Sequence, residues 1–381
     1  MVHPQPLPVP APPVRGGGRA GQVVLAVLGG LLVVVCGLVV TVVVLLSVGP
    51  EAFATALLVA ALPVLPLVRV YAWLDRYEPE PRGMLLFAFG WGAAVATAFA
   101  LLLSLPPTLA VQALGGDADV LGAVLVAPLV EEGIKGLGLV AVVLVGRRGL
   151  DGLVDGFVYA GLVGVGFAFT ENILYLGEAL LSGGSGGLVA TFVVRGVVSP
   201  FAHPLFTAAT GVGLVLASRR RGAARLLVAL AGFAVAVLLH GLWNGMAVGG
   251  TAGFAGTYLT MWVPLFCAFV ALALWARARQ ARTVRSGIAL YARYGWFSPA
   301  EEQMLVSLPA RRHAQRVARR SGSGPAMRRF QTAAIDLAHL RERVGAGTAP
   351  WDAAAREQDL LGRLTAARSA LGAPPGLRER A

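Results

Sequence analysis

The stretch that decides the fold is VLVAPLVEEGIKGLGLVAVV, residues 124–143. It has the length of a membrane-spanning helix, because about 20 apolar residues are needed to cross the hydrocarbon core of a bilayer. It also contains Glu131, Glu132 and Lys135, and Lys135 is the only lysine in the sequence. A charged side chain at the centre of a span costs roughly 2.5–3.5 kcal/mol. Since both glutamates can reach the ammonium at i,i+4 and i,i+3 helical spacing, the stretch predicts a buried, paired functional site.

The rest of the chain has the composition of a membrane protein. Its residues are 56% hydrophobic and only 14% charged, and its mean hydropathy is +0.71. Apolar runs of about 20 residues recur, which is the length of a spanning helix. We predict an all-α polytopic membrane bundle of about eight transmembrane helices followed by a helical cytoplasmic tail. The predicted spans are 23–48, 52–74, 83–106, 120–146, 152–178, 188–217, 224–248 and 255–277.

The loops between these spans alternate in charge. Arginines precede the first span, lie in alternate loops at 76–82, 147–148 and 219–225, and follow the last span, whereas the other loops contain neither Arg nor Lys. By the positive-inside rule, loops rich in Arg and Lys face the cytoplasm. The pattern therefore predicts a multi-pass protein of the cell membrane with both termini in the cytoplasm.

Composition also divides the chain into three predicted regions: a disordered Pro/Gly-rich leader (1–22), a transmembrane domain (23–277) and a basic helical tail (278–381). From Arg277 onwards there are 19 arginines and 8 acidic residues. Such a block can bind anionic lipid headgroups or nucleic acid. Beside a membrane domain we expect lipid, and no nucleic acid, because the tail has no recognition motif for one. Helix signals, including an N-cap at Ser298, predict helices near 299–320, 325–344 and 351–371.

Spans 5, 6 and 7 add polar residues to those of span 4. They are Glu171 with Asn172, His203, and His240 with Asn244. His203 lies between Pro200 and Pro204, which remove helix hydrogen bonds, and such a break persists in a membrane only where it faces protein or a wet cavity. With straight helices the ionisable groups lie roughly 10–22 Å beneath the outer boundary. These depths predict one shared, hydrated site. Arg195 either reaches the outer interface or contacts substrate or a glutamate.

Four motifs carry a family resemblance. EEGIK (131–135), FAFTEN (167–172), HPLFT (203–207) and HGLWN (240–244), in this order on successive spans, resemble the PrsW family of intramembrane proteases. That family is similar to the CAAX-processing and bacteriocin-immunity membrane proteases. Glu171 stands where the wider group has histidine, which matches the PrsW branch. The resemblance covers about residues 60–277 and implies cleavage of a membrane-anchored protein near the extracytoplasmic face, such as site-1 cleavage of an anti-sigma factor.

Peptide hydrolysis needs an activated water, an oxyanion stabiliser and a proton donor for the leaving amine. The candidate catalytic residues are Glu131, Glu132, Lys135, Glu171, Asn172, His203, His240 and Asn244. Either glutamate of the pair can act as general base, with Lys135 or a histidine compensating its charge. The histidines can orient the water or protonate the amine, and the Asn244 amide can stabilise the oxyanion.

The sequence does not decide whether the site binds a metal ion. The His-Glu-x-x-His motif of many zinc proteases is absent, but His203, His240 and Glu171 form a possible zinc ligand set with water as the fourth ligand. A glutamate-activated water is equally compatible with the residues.

Two other functions use similar residues. A secondary transporter with a buried Glu/His/Lys ion-coupling site would also have a broken helix at mid-depth, although no internal repeat of the span pattern is present. A non-enzymatic scaffold would leave the cost of three buried charges unexplained.

Overall fold

The computed structural model describes residues 18–113, 115, 117–145, 150, 152–249, 251–349 and 351–372. The described residues are 90% helical and contain no strand. It divides into two compact units. Within the described residues, the membrane unit comprises 18–75 and 80–274, and the C-terminal unit comprises 76–79 and 275–372. Most of the predicted leader, residues 1–17, lies outside the described residues.

Ten α-helices build the membrane unit or begin in it. They are α1 (Gly18–Leu74), α2 (Arg82–Gly90), α3 (Thr97–Ala113), α4 (Ala118–Leu121), α5 (Ala127–Val145), α6 (Leu153–Phe192), α7 (Ala202–Ser218), α8 (Ala223–Val248), α9 (Thr251–Thr257) and α10 (Val263–Arg293). Short π-helical segments join several of them, and these are Trp91–Ala96, Gly122–Val126, Val193–Val198 and Tyr258–Trp262.

Five helical stretches in the described residues are long and apolar enough to cross a membrane. They are Val23–Leu74, Arg82–Ala113, Leu153–Ser218, Ala223–Val248 and Phe254–Arg293.

Two of these stretches contain more than one predicted span. Gly49 interrupts α1 with a φ of 76°, and Gly184 interrupts α6 with a φ of 59°, a conformation that glycine adopts without steric cost. The predicted span with the charged motif corresponds to the helical residues 118–145. Each of the eight predicted spans therefore overlaps a helical passage of the described residues, and the predicted all-α polytopic fold is confirmed.

Helices α1 and α6 pack through small and β-branched residues repeated every four positions. Val40, Val44 and Val48 precede the interruption at Gly49, and Ala52, Ala56 and Ala60 follow it; all six are buried in one cluster with Ile173 and Leu176 of α6. Residues at i and i+4 lie on the same helix face, so this face is continuous along each half of α1. Its opposite face exposes large apolar side chains, as a lipid-facing surface does.

The small residues of α6 allow neighbouring helices to approach it closely. A Cβ added at Gly166 would lie 2.1 Å from the carbonyl oxygen of Phe89, and one added at Gly161 would lie 2.1 Å from the ring of Tyr71. Neither position has room for a side chain. Close approach through small residues is the usual packing of membrane helices, and it makes α6 the central helix of the unit.

The predicted helix break before His203 is also present. The π-helical segment ends at Val198, and α7 begins at Ala202. Polar groups near the break find partners: the Ser199 N–H donates to the Val194 carbonyl at 2.9 Å, and the Tyr258 hydroxyl donates to the Val198 carbonyl at 2.7 Å. The break is thus tolerated because protein groups replace the missing helical hydrogen bonds.

The C-terminal unit has its own apolar core. It contains α11 (Pro299–Val306), α12 (Leu308–Arg320), α13 (Gly324–Gly345) and α14 (Ala353–Gly372), together with the last part of α10. Ile288, Leu305, Phe330, Leu337 and Leu364 are almost completely buried in one cluster. The tail is therefore a folded unit and more than a set of solvated helices.

The predicted helix signals of the tail are largely confirmed. Ser298 caps α11, since its hydroxyl accepts the Glu301 N–H while the Glu301 carboxylate accepts the Ser298 N–H. The single helix predicted at 299–320 is wrong, because the chain forms two helices there. Ser307 caps the second one by accepting the Ala310 N–H at 3.4 Å, and Pro309 lies in its first turn, where its missing N–H costs nothing.

Candidate active site

Lys135 lies at the centre of a buried network of charged and polar side chains. Its Nζ donates to Glu131 Oε2 at 3.1 Å, to Glu132 Oε1 at 2.9 Å and to His203 Nδ1 at 3.2 Å. The ammonium also lies 3.6 Å from the centre of the Phe167 ring, within the range of a cation–π interaction. The lysine side chain is fully buried, so both carboxylates compensate its charge inside the bundle, as the motif spacing predicts.

Glu132 connects this network to His240. Its Oε1 lies 3.1 Å from His240 Nδ1, and its Oε2 accepts a hydrogen bond from the Thr207 hydroxyl at 3.0 Å. Since a carboxylate only accepts, His240 carries its proton on Nδ1. The Nε2 lone pair of His240 then faces Glu131, whose Oε2 is 3.8 Å away. Glu132 therefore fixes the orientation and the tautomer of His240.

Glu171 occupies the opposite side of His203. Its Oε2 lies 2.8 Å from His203 Nε2 and is also bound by the Arg195 guanidinium. Arg195 Nε donates to the Asn172 side-chain oxygen at 2.7 Å. Among the alternatives predicted for Arg195, the structure shows the contact with a glutamate. The π-helical segment Val193–Val198 carries this arginine, and such segments occur often at functional sites.

The contact between Glu171 and His203 corrects the depths estimated from straight spans. The predicted depths were roughly 10 Å for Glu171 and roughly 22 Å for His203, whereas their side chains touch. Helix α6 continues to the turn at Gly184, so Glu171 lies about 20 Å along the helix from that turn. The predicted loop between the spans 152–178 and 188–217 is thus mostly helix, and Glu171 lies beside His203.

Gly164 lets α7 approach α6 at the site. A Cβ on Gly164 would lie 2.6 Å from the Pro204 nitrogen and 2.8 Å from the carbonyl carbon and oxygen of His203. All three are backbone atoms, which cannot move aside as a flexible side chain can. The position of His203 therefore depends on the absence of a side chain about two helical turns before Glu171.

Aromatic rings enclose the histidines. Phe206 stacks on His240 with 4.9 Å between ring centroids, and Phe167 lies 5.1 Å from His203. The two imidazoles are 5.1 Å apart and nearly perpendicular. Rotation of either ring is restricted by this packing, in addition to its hydrogen bonds.

Glu131, His203 and His240 form a group that can hold a metal ion. One potential ligand atom from each lies within 4.8 Å of the others. This set differs from the predicted one, because Glu131 takes the place of Glu171 as the carboxylate. Glu171 is directed at Arg195 and at His203 Nε2, so it lies next to this group as a partner of one of its histidines.

Two of the eight predicted site residues lie outside this central network. Asn172 contacts it only through Arg195. Asn244 donates its side-chain amide to the Ala123 carbonyl at 2.8 Å and so ties α8 to the π-helical segment Gly122–Val126. The oxyanion role predicted for Asn244 would need its second amide hydrogen. The other six predicted residues lie together.

Thr207 also belongs to the network, although it is not among the eight predicted site residues. Its hydroxyl is completely buried and bonded to Glu132. A signal was present, because Thr207 follows His203 by four residues and so lies on the same face of α7.

Comparison with known families gives one match. The sequence model of the "PrsW family intramembrane metalloprotease" family matches residues 80–273, slightly more than half of the chain. The chain belongs to the PrsW family. No curated protein and no solved structure matches significantly.

PrsW membership establishes the class of activity. The protein is a membrane protein and an intramembrane peptidase, and its substrate is a protein. The matched region contains all eight predicted site residues. The transporter and scaffold alternatives are therefore not retained.

Proposed function

We propose that this PrsW protein cleaves membrane-anchored proteins near the extracytoplasmic face, with a divalent metal held by Glu131, His203 and His240. The observation that carries this proposal is the convergence of these three side chains, from three different helices, inside an apolar bundle. Burying ionisable residues within a membrane is energetically costly, so such residues indicate a functional site.

The donor set fits zinc. Two imidazoles and one carboxylate, with a fourth position left for water or substrate, are a common ligand set of catalytic zinc. Glu132 supports this assignment, since it accepts the Nδ1–H of His240 and so leaves Nε2 free to coordinate. A carboxylate behind a ligating histidine is the usual outer-shell partner of a zinc site. When bound, the metal would act as a Lewis acid toward the water or the scissile carbonyl.

Side chains of the protein would then accept and donate the protons of the reaction. Glu171 is held by Arg195 and lies at His203, and its side chain is 19% exposed. We assign to its carboxylate the acceptance of a proton from the attacking water and its transfer to the leaving amine. Lys135 and Thr207 hold Glu132 in place, and Glu132 holds His240.

A second candidate mechanism uses Glu131 as the general base without a metal. It is favoured by the difference between the paired glutamates. Both oxygens of Glu132 accept hydrogen bonds and its side chain is fully buried, whereas Glu131 is bonded through Oε2 and its side chain is 11% exposed. Glu131 is the member of the pair that a water molecule can reach.

Metal analysis separates the two mechanisms. We expect the purified protein to contain near-stoichiometric zinc and to lose both zinc and cleavage activity on treatment with a chelator. The His240→Ala variant should lose the zinc as well, and His313→Ala, a change at an exposed histidine of the C-terminal unit, should retain it. Full activity of a protein without metal would instead assign the reaction to Glu131.

The position of the cut tests the proposed face of the membrane. Orientation by the positive-inside rule places the turns at Gly49 and Gly184 outside, and His240 lies closer to the outer end of α8 than to its arginine-rich start. We expect a single-span substrate, such as an anti-sigma factor, to be cut in the outer half of its span or just beyond it. Mass spectrometry of the fragments locates the cut, and a cut on the cytoplasmic side would contradict the orientation. An impermeant thiol reagent should modify Ser182→Cys in intact cells and leave Arg220→Cys unmodified.

We also propose that the C-terminal unit binds anionic lipid headgroups. Its basic surface consists of Arg312, Arg316, Arg319 and Arg320 of α12 with Arg328 and Arg329 of α13. All six are exposed, and none of them forms an ion pair with a described residue. Each basic residue near an anionic membrane surface contributes about 1 kcal/mol to binding.

A fluorescent label on α12 tests this binding. Val317 is 51% exposed among the arginines, so an environment-sensitive dye on Val317→Cys, with Cys36 and Cys267 replaced by alanine, should shift to the blue in anionic nanodiscs. Salt should reverse the shift by screening. The same dye on Trp351→Cys, an 82% exposed position of this unit, is the control. Equal emission in anionic and zwitterionic nanodiscs would rule out the lipid surface.

A further inference from the structure

The ammonium of Lys135 has no free hydrogen-bonding capacity. Its three N–H groups have three acceptors: Glu131 Oε2, Glu132 Oε1 and His203 Nδ1. The side chain is fully buried, so water does not compete for these bonds. A cation belonging to the chain therefore already contacts two of the three residues of the proposed metal site.

These contacts determine the proton positions of His203. Because an ammonium only donates, His203 Nδ1 accepts from Lys135, and the ring proton lies on Nε2, where it donates to Glu171. Both nitrogens of His203 are thus engaged. His240 differs, since only its Nδ1 is bonded to a carboxylate within 3.5 Å and its Nε2 retains a lone pair. In this state His240 and Glu131 can coordinate a metal, and His203 cannot.

We propose that Lys135 is an internal competitor of the metal, and that His203 becomes a ligand only when the ammonium leaves its Nδ1. This inference rests on the proposed metal site. The charge of the ammonium also weakens metal binding, because it offsets one of the two carboxylate charges of Glu131 and Glu132. Removing the ammonium exposes both negative charges to a divalent cation at short range. Lys135 therefore sets the metal affinity of the site.

Zinc affinity of the full-length protein in detergent, measured by competition with a chromophoric chelator, tests the proposal. We expect Lys135→Gln to bind zinc about tenfold or more tightly than the wild type. The same substitution in a His203→Ala background should give a smaller gain, because there is no longer a ligand to release. If Lys135→Gln raised the zinc affinity equally with and without His203→Ala, the effect would come from the lost positive charge alone. That result would overturn the competition for His203. An unchanged or weaker affinity of Lys135→Gln would overturn it too.

The wild type offers a test that does not depend on the folding of a variant. Since Lys135 is the only lysine, protein labelled with ¹⁵N-lysine has one side-chain amine signal, which Lys135→Gln assigns by its loss. We expect saturating zinc to shift this signal as the bond to His203 Nδ1 breaks. A signal unchanged by bound zinc would refute the competition. If neither protein binds zinc, the competition and the metal site both fail, while peptidase activity without metal would leave proteolysis assigned to Glu131.

Discussion

Glu131→Gln is expected to reduce the rate of substrate cleavage by about 10²–10⁴-fold, the loss typical of removing a positioned acid–base group. The amide has the size of the carboxylate, but it neither accepts a proton from water nor neutralises Lys135, which lies 3.1 Å away. The effect is expected under both candidate mechanisms, because Glu131 is a ligand in one and the base in the other. Initial cleavage rates in proteoliposomes, normalised to the amount of enzyme, measure it.

Glu178→Gln is the matched control for this substitution. Glu178 is an exposed glutamate in the part of α6 beyond Glu171, so the same chemical change removes no buried contact there. Its cleavage rate should equal that of the wild type. Wild-type cleavage by Glu131→Gln would show that the network around Lys135 is structural.

Gly164→Ala is expected to lower both stability and activity. The new methyl group would lie 2.6 Å from the backbone nitrogen of Pro204, so α7 must move away from α6. Overpacking of this kind costs about 1–3 kcal/mol, and a displacement of about 1 Å at a reacting group can reduce the rate about 10²-fold. Thermal unfolding in detergent and cleavage rates measure the two effects.

Gly133→Ala provides the comparison. Gly133 lies inside the EEGIK motif, yet a Cβ added there has no atom within 4 Å. Alanine also favours helix over glycine by about 1 kcal/mol in water. We expect this variant to retain both stability and activity. If Gly133→Ala is damaging and Gly164→Ala is harmless, the packing described for α6 and α7 is wrong.

The charged centre of the site could be predicted because its geometry is local. Glu131, Glu132 and Lys135 belong to one helix, and the spacing of three and four residues places them on one face whatever the rest of the fold does. Hydropathy predicted the helical passages for a similar reason, since the length of a span is set by the thickness of the bilayer.

The partners of each histidine could not be predicted in this way. The choice between Glu131 and Glu171 as the carboxylate nearest both histidines depends on how α5, α6, α7 and α8 cross. The position of Glu171 relative to His203 depends on where α6 turns. Gly184 is one of several glycines in that segment, so the sequence did not show which of them forms the turn. Contacts between residues far apart in sequence follow from close packing, and sub-ångström differences in packing leave no periodic signal.

The amino-acid sequence by itself thus determined the class of fold, the order of the motifs and the pairing of Lys135 with two glutamates. Only the tertiary structure decided that Arg195 binds Glu171, that Thr207 and His240 share Glu132, and that Lys135 reaches His203. The physical reason is how far along the chain each effect acts. Helical periodicity and the cost of buried charge act within one segment, whereas the assignment of a proton or a ligand to an imidazole depends on the few ångströms between side chains of different helices.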